Sequence, residues 1–314
     1  MKKLFVSRAL PDSVMAALAE HFDVTCRDAT RPMGVDECRA ALADHDVVLP
    51  TLGDAFTADA FTGDIRAKGL ANFGVGFNHI DVDAARAVGL VVTNTPGAVT
   101  DATADTAMTL ILMAARRAGE GERMVRAGDW HGWHPVQMLG MHVSGKTVGI
   151  IGMGRIGQAI AKRCTAGFGM KVVFWNRSDK SIDGADQLAS VADVCTQADV
   201  VVTALAATAE TRHIIDAEAL SAMQPHAILV NIARGDVVDE AALIEALQSG
   251  AIGGAGLDVY EREPTVPDAL KALENVVLLP HLGTAALEVR EDMGRMALEN
   301  AVAIAEGRTP PNPV

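Results

Sequence analysis

Three residues in the second half of the chain have complementary chemistry and stand at equivalent places. Arg234 follows the apolar run Ile228–Ile232 in NIARGDVVDE, Glu263 follows Leu257–Val259 in GLDVYEREP, and His281 follows Val276–Pro280 in LLPHLGTA. Short apolar runs of this kind read as strands buried on both faces of a parallel sheet. In open α/β sheets, ligands bind at the carboxyl ends of such strands. An arginine presents a planar fork of donors suited to a carboxylate and a carbonyl oxygen. A histidine exchanges a proton near neutral pH, and a glutamate bonded to it orients the ring and favours imidazolium. Brought together, the three suit reduction of a 2-oxo acid, with hydride added to the carbonyl carbon and a proton passed from His281 to the oxygen. Taken singly, each has a plainer reading: a surface arginine, a solvated charge beside Arg262, and a hydrogen-bonded loop histidine.

Such a reduction needs a hydride donor, and the sequence holds a place for one. The apolar run Val148–Ile151 leads into Gly152, Gly154 and Gly157, and then into a helical pattern. In this arrangement the first glycine permits a tight turn, the second admits a pyrophosphate to the backbone, and the third lets helix and strand pack closely. The helix N-terminus then offers free N–H groups and the positive end of its dipole to the diphosphate. The spacing alone is weak in a chain with 29 glycines; the strand before it and the helix after it mark a dinucleotide site.

These residues need a scaffold. Leu4–Ser7, Val24–Cys26, Val47–Pro50, Ala71–Val75 and Leu90–Thr93 read as strands, with Pro11–His21, Gly34–Ala43 and Val82–Val88 as intervening helices. Thr95-Pro96-Gly97 punctuates the chain, and Asp101–Ala127 reads as one connecting helix. Residues 129–145 lack a clean period and read as an ordered loop. Six strands follow: Val148–Ile151, Lys171–Trp175, Val200–Ala204, Ala227–Asn231, Gly254–Val259 and Val276–Leu279. Ala285–Glu306 is again helical and is expected to return to the first domain, giving a two-linker hinge and a cleft. The expected class is therefore α/β: a doubly wound parallel (Rossmann) cofactor domain, residues 99–285, plus a smaller flavodoxin-like α/β substrate domain, residues 1–98 and 286–314.

Composition sets the bounds. The 314 residues suffice for two α/β domains, and a net charge of −13 argues against nucleic acid or an anionic membrane as partner. Cys26, Cys38, Cys164 and Cys195 are scattered without metal-like spacing, so no metal site and reduced thiols are expected. The N-terminal apolar run is too short for a signal segment and no window suits a bilayer span, which leads us to expect a cytoplasmic protein.

The chain resembles the D-isomer-specific 2-hydroxyacid dehydrogenases, and within them the glyoxylate/hydroxypyruvate reductases. The resemblance is carried by FGVGFNHIDV (73–82), VTNTPGAVTDATADTAM (92–108), GDWHGWHPVQMLG (128–140), GKTVGIIGMGRIGQAIAKR (145–163), NIARGDVVDEAAL (231–243), GAGLDVYEREP (254–264) and LLPHLGTAALEVREDM (278–293). It implies that Arg234, Glu263 and His281 are catalytic and that Asp258 faces the nicotinamide carboxamide. It implies that the Val75 and Gly76 amides hold the substrate carboxylate, with Leu52 and Gly53 lining the pocket and Arg290 near the substrate. By the same resemblance, Thr100 is expected to touch the cofactor near the diphosphate, with Arg155, Ile156, Ala204, Leu205, Ala233, His281 and Gly283 completing the cofactor contacts. The resemblance also implies a homodimer in which the loop holding Trp133 reaches toward the neighbouring subunit's active site. On composition, a buried core tryptophan is the equal alternative.

NAD-preferring folds end the second strand with an acid that binds the ribose 2′-hydroxyl. Here Lys171–Trp175 is followed by Asn176-Arg177-Ser178. Arg177 can pair with a 2′-phosphate, with hydrogen bonds from Asn176 and Ser178, so NADPH is expected over NADH. The leading expectation is NADPH-dependent reduction of glyoxylate and hydroxypyruvate to D-2-hydroxy acids. A larger 2-oxo acid as substrate and a nucleotide-sensing interaction protein on the same scaffold are the alternatives.

Overall fold

The computed structural model describes residues 1–314. The chain forms two compact units, one of Met1–Val99 with Thr284–Val314 and one of Thr100–Gly283.

In the first unit, β1 (Lys2–Val6), α1 (Asp12–His21), β2 (Phe22–Cys26), α2 (Val35–Asp44), β3 (Val47–Leu49), β4 (Gly69–Ala71), α3 (Val82–Ala87) and β5 (Val91–Thr93) follow in turn. The strands are parallel in the order β2-β1-β3-β4-β5, the doubly wound order of flavodoxin. Leu42, Val48, Phe56, Leu70 and Val92 form its core. The strand expected over Ala71–Val75 instead ends at Ala71. The reason is local: the Asn72 N–H still reaches the carbonyl of Thr93, but the carbonyls of Gly74, Val75 and Gly76 go to the side chains of Asn72 and Asn94 and not to a neighbouring strand.

The second unit opens with α4 (Thr100–Ala115) and α5 (Ala118–Ala127), where one helix was expected. The break has a physical cause. Arg117 takes a left-handed conformation (φ 51°), and Met141 donates its N–H to the carbonyl of Ala115, 2.8 Å away. α4 is buried along much of its length, whereas α5 buries no residue at all. Residues 129–145 contain neither helix nor strand.

There follow β6 (Thr147–Ile151), α6 (Arg155–Phe168), β7 (Lys171–Trp175), β8 (Ala185–Gln187), α7 (Val191–Gln197), β9 (Val200–Thr203) and α8 (Ala217–Ala222). Then come β10 (Ile228–Asn231), α9 (Glu240–Ser249), β11 (Gly254–Leu257), α10 (Asp268–Lys271) and β12 (Val276–Leu278). The sheet is parallel, ordered β12-β11-β10-β9-β6-β7-β8, and it has seven strands where six were expected. The extra strand, β8, is Ala-Asp-Gln at the sheet edge; three residues of that type leave no apolar signal. Successive strand residues serve opposite cores, Ile150, Val202 and Val230 on one face and Ile151, Val201 and Leu229 on the other. The direction of connection reverses beside β6, the topological switch point of such sheets.

The last helix, α11 (Leu287–Ala305), rejoins the first unit and packs on α1, β3 and β4. Residues 312–314 then run antiparallel to β5, with Val314 donating to the carbonyl of Val92 at 3.0 Å. No helix is long and apolar enough to cross a membrane.

Candidate active site

In the second unit the loops that follow β10, β11 and β12 leave the same edge of the sheet as the glycine loop after β6. Each strand positions one of the charged residues. At the end of β10, the fully buried Asn231 takes the Thr203 hydroxyl (2.7 Å) and the Ala233 N–H (3.0 Å) on its Oδ1 and donates from Nδ2 to the carbonyl of Arg234 (2.9 Å). The backbone of Arg234 is thereby fixed before its side chain leaves it. Burial presses the half-buried guanidinium below its ordinary range, while the carboxylates of Glu263 and Asp236 act against that. Asn231 was not singled out from sequence; its signal is a polar residue at the last position of an otherwise apolar strand.

After β11, Glu263 accepts from the Tyr260 N–H (3.1 Å) on one oxygen and meets His281 Nδ1 (2.9 Å) with the other. A carboxylate only accepts, so Nδ1 carries the donated proton and Nε2 is the nitrogen left for exchange. Burial works to raise the Glu263 carboxyl, but the bond to His281, that residue's charge, the Tyr260 N–H and Arg234 together hold it below the usual glutamate range. Tyr260, the only tyrosine, braces this corner from beneath by donating to the carbonyl of Leu279 (2.9 Å).

His281 itself is left-handed (φ 55°), an uncommon conformation for a side-chain-bearing residue. The turn is held by Asp258, 1% exposed, whose two oxygens accept from the N–H groups of Leu282 (2.6 Å) and Gly283 (2.8 Å). The His281 N–H donates to the carbonyl of Asp258 at 2.9 Å. Burial raises the Asp258 carboxyl, opposed by those amides and by His281. Asp258 is thus built into the histidine turn itself.

The glycine loop fits a dinucleotide. Gly152 has φ 102°, and a Cβ there would lie 2.8 Å from the carbonyl oxygen of Ala204; one at Gly157 would lie 2.2 Å from that of Gly152. At Gly154, by contrast, a Cβ would meet nothing within 4 Å. The two tight positions hold the fold together, and the open one leaves room for a phosphate. α6 begins at Arg155 with no side chain capping it, so its first N–H groups stay available. Arg155 is exposed and Ile156 half-buried beside them. Ala204 and Leu205 stand against Gly152, Ala233 is buried after β10, and Thr100 opens α4.

One expectation at the end of β7 is corrected. Asn176 has no donor to spare for a phosphate: Nδ2 donates to the carbonyl (2.9 Å) and hydroxyl (3.1 Å) of Ser178, and Oδ1 accepts from the Met153 N–H (3.1 Å). It ties the Arg177 loop to the glycine loop. Arg177 and Ser178 remain exposed.

Trp133 is 78% exposed, as are its loop neighbours Val136 (71%) and Leu139 (67%), so the core reading of this tryptophan is excluded. In the first unit, Leu52 and Gly53 follow β3, where Arg8 donates to the carbonyl of Leu52 (3.1 Å) and pairs with the fully buried Asp54 (3.2 Å). Val75 and Gly76 lie in the loop after β4, half-buried. Arg290, in the first turn of α11, donates to the carbonyl of Thr284 (3.2 Å), has no carboxylate partner, and is pressed below its ordinary range by burial.

Comparison with known proteins agrees with this chemistry. The family model for the D-isomer specific 2-hydroxyacid dehydrogenase NAD binding domain matches residues 108–283. A glyoxylate reductase of Thermococcus kodakarensis is 42% identical over 98% of this chain and 95% of its own, and one of Korarchaeum cryptofilum is 41% identical over 99% and 95%. The crystal structure of a Sinorhizobium meliloti NADPH-dependent glyoxylate/hydroxypyruvate reductase, in complex with NADP and malonate, superposes with a TM-score of 0.90 at 33% identity, covering 100% of this chain and 96% of that one. With a nicotinamide-binding sheet, a carboxylate-backed histidine at its edge and relatives of this kind over its whole length, the chain belongs to the D-isomer-specific 2-hydroxyacid dehydrogenases, as an oxidoreductase that reduces 2-oxo acids.

Proposed function

We propose that the enzyme reduces glyoxylate and hydroxypyruvate to glycolate and D-glycerate with NADPH, and that His281 is the proton donor. The observation that carries this reading is the 2.9 Å contact of Glu263 Oε2 with His281 Nδ1, at the sheet edge that also bears the glycine loop. Bound NADPH supplies the hydride. Gly152, Gly154, Gly157 and the start of α6 hold its diphosphate, and Thr100, Arg155, Ile156, Ala204, Leu205, Ala233 and Gly283 line its path. The remaining lone pairs of Asp258 suit the nicotinamide carboxamide. Arg234 pairs with the substrate carboxylate and polarises the carbonyl oxygen, so that charge developing there meets a fixed cation. His281 Nε2 gives its proton to that oxygen, and Glu263 stabilises the imidazolium before transfer. The Val75 and Gly76 amides hold the carboxylate, with Leu52, Gly53 and Arg290 shaping specificity.

The lack of an acid at the end of β7, with Arg177 in its place, supports NADPH over NADH. The exposed apolar face of Trp133, Val136 and Leu139 supports a homodimer joined through this loop, and sedimentation of the purified protein tests it: a monomer at micromolar concentration refutes the dimer. For the reaction, kcat/KM is measured for a panel of 2-oxo acids with each cofactor. Glyoxylate and hydroxypyruvate with NADPH are expected to lead; no turnover of either, or equal efficiency with NADH, overturns the corresponding part.

A further inference from the structure

The loop after β4 shows how a short piece of backbone can be turned into an anion receptor. The carbonyl of Gly74 accepts two donors, Asn72 Nδ2 (3.1 Å) and the Thr95 N–H (3.0 Å). The carbonyl of Val75 accepts from Asn94 Nδ2 (2.9 Å), and that of Gly76 from Asn72 Nδ2 (3.1 Å). Three consecutive carbonyls are thus drawn toward two asparagine side chains and one strand-end amide. In a planar trans peptide, the C=O of one residue and the N–H of the next point in opposite directions. The N–H groups of Val75, Gly76 and Phe77 are therefore turned away from the asparagines, and none of the three donates to any acceptor within the protein.

The asparagines are themselves held. Asn72 is fully buried, and its N–H donates to the carbonyl of Thr93 (3.2 Å). The carbonyl of Asn94 accepts from Nδ2 of the fully buried Asn300 on α11 (3.2 Å), whose Oδ1 takes the Asn312 N–H (3.1 Å). Asn72 Oδ1 is buried without a partner, so the hold comes from the Nδ2 donors and the backbone bonds, which leave the loop little freedom to rotate its peptides.

We propose that Asn72 and Asn94 are positioning residues for substrate: by fixing three carbonyls they aim the N–H groups of Val75, Gly76 and Phe77 at one carboxylate, with Phe77 as a third donor beside the two implied by resemblance. The inference rests on the reductase reading above, and it assigns the orientation of the receptor to side chains that touch neither substrate nor cofactor.

The test compares wild type with Asn72→Ala, Asn72→Asp and Asn94→Ala. For each, kcat and KM are measured with glyoxylate, NADPH affinity by fluorescence titration, and oxalate binding to the enzyme–NADPH complex by calorimetry. A freed peptide loses aim, so KM and the oxalate Kd rise together by roughly 10-fold or more, with kcat and NADPH affinity held within about threefold. Asn72→Asp, which sets a carboxylate against two carbonyls, shows the largest rise. An unchanged KM and oxalate Kd, or a fall in kcat and NADPH affinity with KM steady, overturns the proposal. Should the buried Asn72 variants fail to fold, the half-buried Asn94→Ala decides by the same criteria. A wild type that reduces no 2-oxo acid refutes the reductase reading separately. In that case oxalate still decides the clamp: weaker binding to the variants supports it, whereas equal binding, or none to wild type, overturns it.

Discussion

In the function proposed above, the two units handle a small anion in different materials. The second unit uses side chains, a guanidinium after β10, two carboxylates after β11 and an imidazole after β12; Glu263 meets the His281 ring at 2.9 Å, and Asp258 holds the histidine turn through the Leu282 and Gly283 N–H groups at 2.6 and 2.8 Å. The first unit uses backbone: a loop after the three-residue strand β4, with its N–H groups aimed by asparagines. Side chains of this kind carry single chemical steps, so removing one removes a step. A row of amides shares its task among several donors, so damage to it is graded.

The largest effect should follow from His281→Ala. Losing the proposed proton donor should lower kcat by roughly 10²–10⁴-fold, with NADPH affinity nearly unchanged. Turnover within about tenfold of wild type would remove the histidine from the mechanism and erase the contrast between the units.

Glu263→Gln comes next, at about 10²-fold in kcat, because the amide keeps the shape but no longer favours the charged ring. Its pH signature has a definite sign. The Glu263 carboxyl lies below the ordinary value of 4.5 in the folded protein, since its bond to His281, the Tyr260 N–H and Arg234 outweigh the effect of burial. Its stabilising contribution is therefore complete above that ordinary value and is lost as pH falls through the lower folded one. Urea midpoints of wild type and Glu263→Gln should differ at neutral pH and converge in acid; a gap that widens on acidification contradicts the assignment.

The contrast also explains what could be read from the chain. The α/β class was legible because strands buried on both faces, such as Val200–Thr203 and Ile228–Asn231, are nearly continuous apolar runs. β8 was not, being three polar-to-small residues at an edge, and the break at Arg117 was not, because the helical pattern continues across it while the chain returns onto Ala115 from residue 141. In the site, residue types announced themselves where chemistry needs a charge: Arg234, Glu263 and His281. Their hydrogen bonds did not. Asn176 reads as a free donor until its contacts with Met153 and Ser178 are seen, and Asn72 reads as the interior of a strand. Where backbone performs the task, only Gly74 and Gly76 mark the place.

A paired substitution in the glycine loop sharpens the comparison further. Gly157→Ala places a methyl 2.2 Å from the carbonyl of Gly152, so α6 and β6 must separate; we expect a loss of about 1–3 kcal/mol in stability and weaker NADPH binding. Gly154→Ala meets nothing within 4 Å and should leave stability within about 0.5 kcal/mol while still weakening NADPH binding, since the methyl fills the space a phosphate needs. Chemical denaturation and cofactor titration separate the two; equal stability losses would mean that Gly154 is structural as well.

The smallest effects belong to the exposed loop after β7. Arg177→Ala should weaken NADPH by about tenfold and NADH hardly at all, since a single exposed guanidinium–phosphate pair is worth little more than that. The charge of Arg177 is also felt by an acid, Glu210, with which it forms no ion pair. The exposed Glu210 carboxyl is held low first by the Thr208 hydroxyl and its own backbone N–H, and in lesser part by the positive charge of Arg177. An acid close enough to feel that charge competes with a 2′-phosphate for it. Glu210→Gln should therefore tighten NADPH by about twofold and leave NADH unchanged, with the gain shrinking as salt is added. In the Arg177→Ala background the same substitution should do nothing. If Glu210→Gln tightened both cofactors equally, the acid would be acting on the diphosphate they share, and Arg177 would lose its claim to the choice between them.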